Sequence, residues 1–104
     1  MSGLTEKEIM TLSELFQQVP TIQKAVLFGS RAMGKHRHNS DVDIVLYGNQ
    51  LVYADVLRVK VKIEETTLPY MFDVILGSVI QNKNLLEHIN RHGIVIYIRQ
   101  SDKK

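Results

Sequence analysis

Apolar and polar residues alternate along the chain in patterns that predict seven secondary-structure elements. The first is a helical repeat of apolar residues that follows a capping box at Thr5 to Glu8 and ends before Pro20. It predicts a helix over residues 5–18. The repeat consists of Ile9, Leu12, Leu15 and Phe16.

Short runs rich in β-branched residues, bounded by turn residues, predict the strands. They lie at residues 22–28, 42–47, 71–76 and 94–99, and a further helix is predicted at 82–92, ended by Gly93. Residues 50–67 fit two patterns, because 57–63 alternates as a strand does while every third or fourth residue is apolar as in a helix. Its length favours a helix.

Length and composition predict one domain, residues 1–104, with a frayed polar tail at 101–104. Cysteine is absent, so neither a thiolate metal site nor a disulfide is possible. No apolar stretch is long enough to cross a membrane, and the N-terminus is unlike a secretion signal. We therefore expect a soluble, cytoplasmic protein with no membrane partner.

Positive charge gives little support for nucleic-acid binding. The formal net charge is only +2, although a basic cluster lies between the first two strands. It consists of Arg31, Lys35, His36, Arg37 and His38. A solvated basic loop explains it, and nucleic acid is not expected as a direct ligand.

Two aspartates stand where the second predicted strand begins. Asp41 and Asp43 are two residues apart, so on a strand they share a face at about 6.5 to 7 Å from one another. At an effective dielectric constant of 20, two such charges repel by roughly 2.5 kcal/mol. A bound cation explains the pair, and turn or capping residues are the alternative.

Asp73 supplies a third carboxylate within an otherwise apolar strand, where it is costly to bury without a partner. Oxygen ligands of this kind suit Mg²⁺, which is usually held by a few carboxylates and the phosphates of a substrate. Gly29 and Ser30 form a turn whose backbone could approach phosphate closely, and Arg31 adds a charge. Together these residues favour phosphoryl or nucleotidyl transfer.

The same motifs resemble a known superfamily. The pattern G-S-R-A-x-G-x(5)-S-D-x-D, followed by a strand aspartate, resembles the DNA polymerase β-like nucleotidyltransferases over about residues 22–97. The short chain resembles the minimal nucleotidyltransferases, the MNT group, which are commonly antitoxins of HEPN/MNT toxin–antitoxin systems. The resemblance implies an α/β (α+β) fold with helices packed against a small mixed sheet.

The resemblance also implies a reaction and roles for six residues. Asp41, Asp43 and Asp73 would be the catalytic carboxylates and the ligands of a two-metal magnesium site, and Asp73 would also deprotonate the acceptor hydroxyl. Gly29, Ser30 and Arg31 would bind the nucleotide. AMP would pass from ATP to a tyrosine of a HEPN-family toxin, which implies a hetero-oligomer.

Three alternatives stay open at this point. The chain could neutralise a partner by binding alone, or it could modify a small molecule or an RNA end. Asp73 could be solvated or salt-bridged instead of catalytic. His88 and His92 stand four apart on a predicted helix, but without an evident third metal ligand they are assigned no role.

Overall fold

A computed structural model describes residues 3–37 and 40–100 of the chain. The predicted tail at 101–104 and His38 of the basic cluster lie outside the described residues. The helices are α1 (Glu6–Gln17), α2 (Tyr53–Glu64) and α3 (Lys83–His92), and the strands are β1 (Lys24–Phe28), β2 (Val42–Tyr47), β3 (Phe72–Leu76) and β4 (Ile94–Ile98).

Helix α1 is fixed at both ends by side chains. Its predicted capping box is confirmed: the Thr5 hydroxyl accepts from the Glu8 amide at 3.0 Å, and the Glu8 carboxylate accepts from the Thr5 amide at 2.9 Å. At the other end the Arg99 guanidinium donates to four carbonyl groups in the last turn of α1 and the connection to β1. These belong to Phe16, Gln17, Val19 and Ile22.

The four strands form one mixed sheet in the order β3-β2-β1-β4. Strand β1 pairs antiparallel with both β2 and β4, whereas β2 and β3 run parallel. A parallel pair needs a crossover connection, and α2 provides it between β2 and β3. The first residues of β2 and β3 therefore lie side by side.

Alternation along the strands gives the sheet two different faces. The closed face packs against α1 and α2 in the main core, which includes Leu27 and Ile44, both fully buried. The open face is covered by α3, and its smaller cluster contains Val26, Phe28, Val45 and Ile89. The open face therefore has room for a site beyond the end of α3.

Helix α2 resolves the ambiguity at residues 50–67 in favour of a helix. Val56, Val59 and Ile63 are buried at helical spacing, while the intervening Leu57 and Val61 are exposed. A structural reason not apparent from periodicity lies at the helix start. There the buried Asp55 carboxylate accepts from the Val52 amide, the Thr21 hydroxyl and the Arg58 guanidinium.

The predicted fold class is confirmed as mixed α+β, and every predicted helix and strand is present with ends that differ from the prediction by at most three residues. One element was not predicted, a short 3₁₀ helix at Gly77–Val79 after β3. No helix within the described ranges 3–37 and 40–100 is long and apolar enough to cross a membrane.

Candidate active site

The candidate site is built on one row of residues across three strands. Phe28 at the end of β1 lies opposite Asp43 of β2, and Asp43 lies beside Asp73 of β3. Neighbouring strands are about 4.8 Å apart, so the two aspartates start from adjacent backbone positions. They are separated by the whole of α2 in the sequence.

The carboxylates of the row belong to the open face. Asp43 alternates with the buried residues Val42 and Ile44, which point into the main core. Asp73 has the same register on β3 and is exposed. Asp41 precedes β2, is exposed and stands two residues from Asp43, so the three candidate carboxylates gather at one end of the sheet.

The charges of the other two carboxylates act on Asp43. Burial raises the pKa of the Asp43 carboxyl, and the negative charges of Asp73 and Asp41 raise it further. Desolvation and like charges both disfavour the ionised form. The site therefore carries an excess of negative charge that a cation would relieve.

Gly29 follows Phe28 directly and turns the chain over this carboxylate row. Its φ of 78° lies in the left-handed region, and a Cβ on it would collide with the Asp43 carboxylate. The turn is closed by backbone hydrogen bonds from the Ala32 amide to the Gly29 carbonyl at 3.1 Å and from the Lys35 amide to the Ser30 carbonyl at 2.9 Å. Glycine is favoured here by the left-handed backbone and by the close approach of the backbone to the carboxylate.

The amide and the hydroxyl of Ser30 are candidate hydrogen-bond donors for a ligand. Within the part of the chain that the structure describes, neither its amide nor its hydroxyl donates a hydrogen bond. Its side chain is only half-buried. The residue after Gly29 can therefore offer two donors to an anion beside the carboxylates.

Arg31 lies beneath the turn instead of at its surface. Only 1% of the residue is exposed, although sequence reasoning predicts a nucleotide contact. Its Nη2 and Nε donate to the Ser40 carbonyl at 3.0 and 3.3 Å, and its guanidinium lies 4.8 Å above the centre of the Tyr70 ring. The predicted contact with a nucleotide stays a prediction.

The partners of Arg31 connect every segment that carries the site. Ser40 precedes Asp41, and Tyr70 lies just before β3. The Tyr70 hydroxyl in turn donates to the Glu8 carboxylate at 2.8 Å. Arg31 therefore fixes the glycine turn relative to the starts of β2 and β3, and this network extends to α1.

His88 is a residue of the site that sequence reasoning missed. It lies on α3, half-buried, and its Nε2 accepts a hydrogen bond from the Gly29 amide at 2.8 Å. The sequence shows that His88 and His92 are four residues apart. The pattern of residues along a helix does not show which loop that helix contacts. Lys35 and Arg37 of the basic cluster are exposed, as a solvated loop would be.

The donor set suits magnesium in its chemistry, since it offers carboxylate oxygens and no thiolate. In the described residues 3–37 and 40–100, however, no group of three or more histidine and acidic side chains is arranged to hold a metal ion. Mutual repulsion between uncompensated carboxylates favours side-chain positions that keep the charges apart. Closure around an ion would require these side chains to turn.

Comparison with protein families identifies the class. Residues 10–102 match the family described as polymerase beta nucleotidyltransferase. The match covers most of the chain, including the glycine turn and all three carboxylates. The protein belongs to this nucleotidyltransferase family.

Solved structures with the same fold include several toxin–antitoxin proteins. A chain of a toxin–antitoxin complex with AMP-PNP is 23% identical, with a TM-score of 0.69 over 93% of this chain and 76% of that one. A chain from the complex of a tri-AMPylated Shewanella oneidensis HEPN toxin with an MNT antitoxin is 20% identical, with a TM-score of 0.62 over 95% and 74%.

A third similar structure comes from outside those complexes. A Sulfolobus solfataricus protein described as a "putative nucleotidyltransferase" is 16% identical, with a TM-score of 0.54 over 89% of this chain and 82% of that one. A search of curated proteins found no match. At these identities the likeness establishes the polymerase β-like fold.

Proposed function

We propose that the protein is a magnesium-dependent nucleotidyltransferase that moves AMP from ATP to a hydroxyl group. The observation that carries the proposal is the register of β2 and β3, which sets Asp43 beside Asp73 directly below the Gly29 turn. Polyphosphate needs donors on one side and positive charge on the other. The turn offers the donors, and the carboxylates would hold the metal.

In the proposed reaction each group of residues has a distinct task. Asp41 and Asp43 bind magnesium, which when bound neutralises phosphate charge and polarises the α-phosphate. Gly29 lets the backbone come close to the triphosphate, and Ser30 holds it through its amide and hydroxyl donors. Asp73, which would also contribute a ligand, accepts the proton of the acceptor hydroxyl. The acceptor oxygen bonds to the α-phosphorus, and the bond to the bridging oxygen breaks to release pyrophosphate.

The burial of Arg31 changes the role that we propose for this residue in nucleotide binding. Its guanidinium donates to Ser40 and stacks on Tyr70, and the residue is only 1% exposed, so a bound phosphate could not reach it without a change in the turn. We therefore assign Arg31 a supporting task, which is to hold the turn against the starts of β2 and β3. Its effect on nucleotide binding would then be indirect.

The proposed acceptor is a tyrosine of a HEPN-family toxin, and the chain would act as its antitoxin in a hetero-oligomer. Support comes from the similar structures, one of which contains AMP-PNP and another a tri-AMPylated HEPN toxin with its MNT antitoxin.

The test is transfer of label from α-labelled ATP to a co-expressed HEPN-type toxin. We expect label on the toxin with magnesium and the unaltered chain, and a loss of at least about a thousandfold with Asp43→Asn, since metal stabilisation of the transition state is worth several kcal/mol. Glu64→Gln, an exposed residue of α2, is the matched control and should transfer normally.

Two outcomes would contradict the proposal in different ways. If an Asp41→Ala, Asp43→Ala double variant still silenced the toxin and no protein became labelled in any sample, the chain would act by binding alone. If label appeared on a small molecule or an RNA end but never on the toxin, transfer would stand and the acceptor would be wrong.

A further inference from the structure

Helix α3 reaches the candidate site through one side chain, His88. The Gly29 amide donates to His88 Nε2 at 2.8 Å, across 59 positions of sequence. The imidazole is held in place by an edge-to-face contact with Phe28, whose ring centre is 6.3 Å away. Phe28 immediately precedes the turn, so His88 contacts two consecutive residues there.

The hydrogen bond to His88 matters because Gly29 has no side chain that could restrain its backbone. A glycine at a φ of 78° has access to more backbone conformations than any other residue, and the amide is one of the few groups that can limit them. The turn's other backbone hydrogen bonds use the carbonyl groups of Gly29, Ser30 and Arg31 as acceptors. His88 alone restrains the amide side of Gly29 among the described residues.

We propose that His88 is a positioning residue, which fixes the Gly29 amide so that the turn is ready to receive a triphosphate before it binds. The inference rests on the proposed function, because it concerns the same turn. Nε2 can accept a hydrogen bond only when it carries no proton, so the imidazole is neutral and protonated on Nδ1. A ligand that meets a prepared turn loses less entropy on binding.

A metal site at His88 and His92 is a weaker explanation for the same residues. Their ring centres are 5.4 Å apart, but Nε2 of His88 is already used by the Gly29 amide. The described part of the chain provides no third ligand arranged with them. His92 is therefore a suitable control, one helical turn from His88 on the same face.

The first experiment requires no catalysis. Long-range ¹H–¹⁵N NMR spectra of the full chain at pH 8, where imidazole side chains are ordinarily neutral, distinguish the two neutral tautomers. We expect the Nδ1-protonated form at His88 and a changed Gly29 amide shift in His88→Ala. An Nε2-protonated His88, or a Gly29 amide unchanged in that variant, would overturn the proposal.

The second experiment measures nucleotide binding and turnover. His88→Ala should raise the Kd for AMP-PNP with magnesium about tenfold while kcat at saturating ATP falls less than about threefold, because the loss is in preparation of the turn. His88→Gln retains an acceptor at a similar reach and should recover most of the affinity. His92→Ala should bind as the unaltered chain does.

The two proposals fail in different ways. Normal affinity in His88→Ala, or no recovery in His88→Gln while its circular dichroism stays normal, would refute the positioning role and leave the proposed function intact. If the unaltered chain bound no nucleotide, the proposed function would be wrong and the positioning role would fall with it. The NMR result would then describe a structural contact only.

Discussion

The two faces of the sheet use the same strands for opposite purposes. On β2, Ile44 points to the closed face and is fully buried against α1 and α2, whereas its neighbour Asp43 points to the open face beside two other carboxylates. Alternation puts both on adjacent residues. The comparison shows how a small protein can place a repulsive charge cluster one residue away from its core.

The faces also differ in what they contribute to stability. The closed face removes large aliphatic side chains from water, and each contributes about 1.5 to 3 kcal/mol when fully buried. The open face is partly covered by the ten residues of α3, and at its far end it carries the partly desolvated charge of Asp43. Stability should therefore depend on the first face and activity on the second.

The largest expected difference comes from matched leucines on the two faces. Leu27→Ala should lower the free energy of unfolding by about 2 to 5 kcal/mol, because Leu27 is fully buried in the main core. Leu85→Ala, on α3 and only half-buried, should cost about 1 to 2 kcal/mol. Urea unfolding measures both, and equal losses would remove the distinction between the faces.

A smaller loss of stability is expected when Arg31, the charged residue buried under the candidate site, is replaced. Arg31→Met should cost about 2 to 3 kcal/mol in urea unfolding, because it leaves the Ser40 carbonyl without its charged donor and removes the contact with Tyr70. Arg91→Met, at an exposed position of α3, should change stability by at most about 0.5 kcal/mol. Similar small losses in both variants would show that Arg31 does not connect the segments.

The smallest expected effect is a gain in stability, whereas the variants above lose stability. The folded protein raises the pKa of the Asp43 carboxyl above its ordinary value of 3.8, so the folded state binds a proton more readily than the unfolded state does. Stability associated with this group is therefore present at low pH and is lost as pH rises through the raised pKa. Without magnesium, Asp43→Asn should consequently melt at a higher temperature than the unaltered chain at pH 7.

The pH dependence provides the control for that prediction. Below pH 3.8 the Asp43 carboxyl is protonated in both the folded and the unfolded state. The gain in Tm from Asp43→Asn should therefore shrink toward zero. Glu64→Gln should give no comparable gain at either pH, because Glu64 is exposed on α2. A lower Tm for Asp43→Asn at pH 7 would mean that the carboxylate stabilises the fold.

Most of the helices and strands could be predicted from the sequence, because each depends on residues that are close together in the chain. The capping box at Thr5 and the strand at Val42–Tyr47 follow from spacing within a few positions, and the structure contains both. The gathering of Asp43 and Asp73 needed one further assumption, that their strands are neighbours. The parallel register shows that they are.

The features that escaped prediction all depend on contacts between distant segments. Burial of Arg31 requires Tyr70 to lie under its guanidinium, and the link from His88 to Gly29 requires α3 to pack on the open face. Neither fact is encoded in a local pattern of residues. The same holds for Asp55, whose carboxylate joins α2 to Thr21.

The parallel pairing of β2 with β3 has a consequence for the order of events during synthesis. Asp43 and Asp73 become neighbours only after the intervening helix has been made and has crossed over the sheet, and His88 emerges from the ribosome later still. A growing polypeptide thus presents its glycine turn well before it can assemble the three carboxylates. A chain that ends before β3 therefore lacks the third carboxylate of the candidate site.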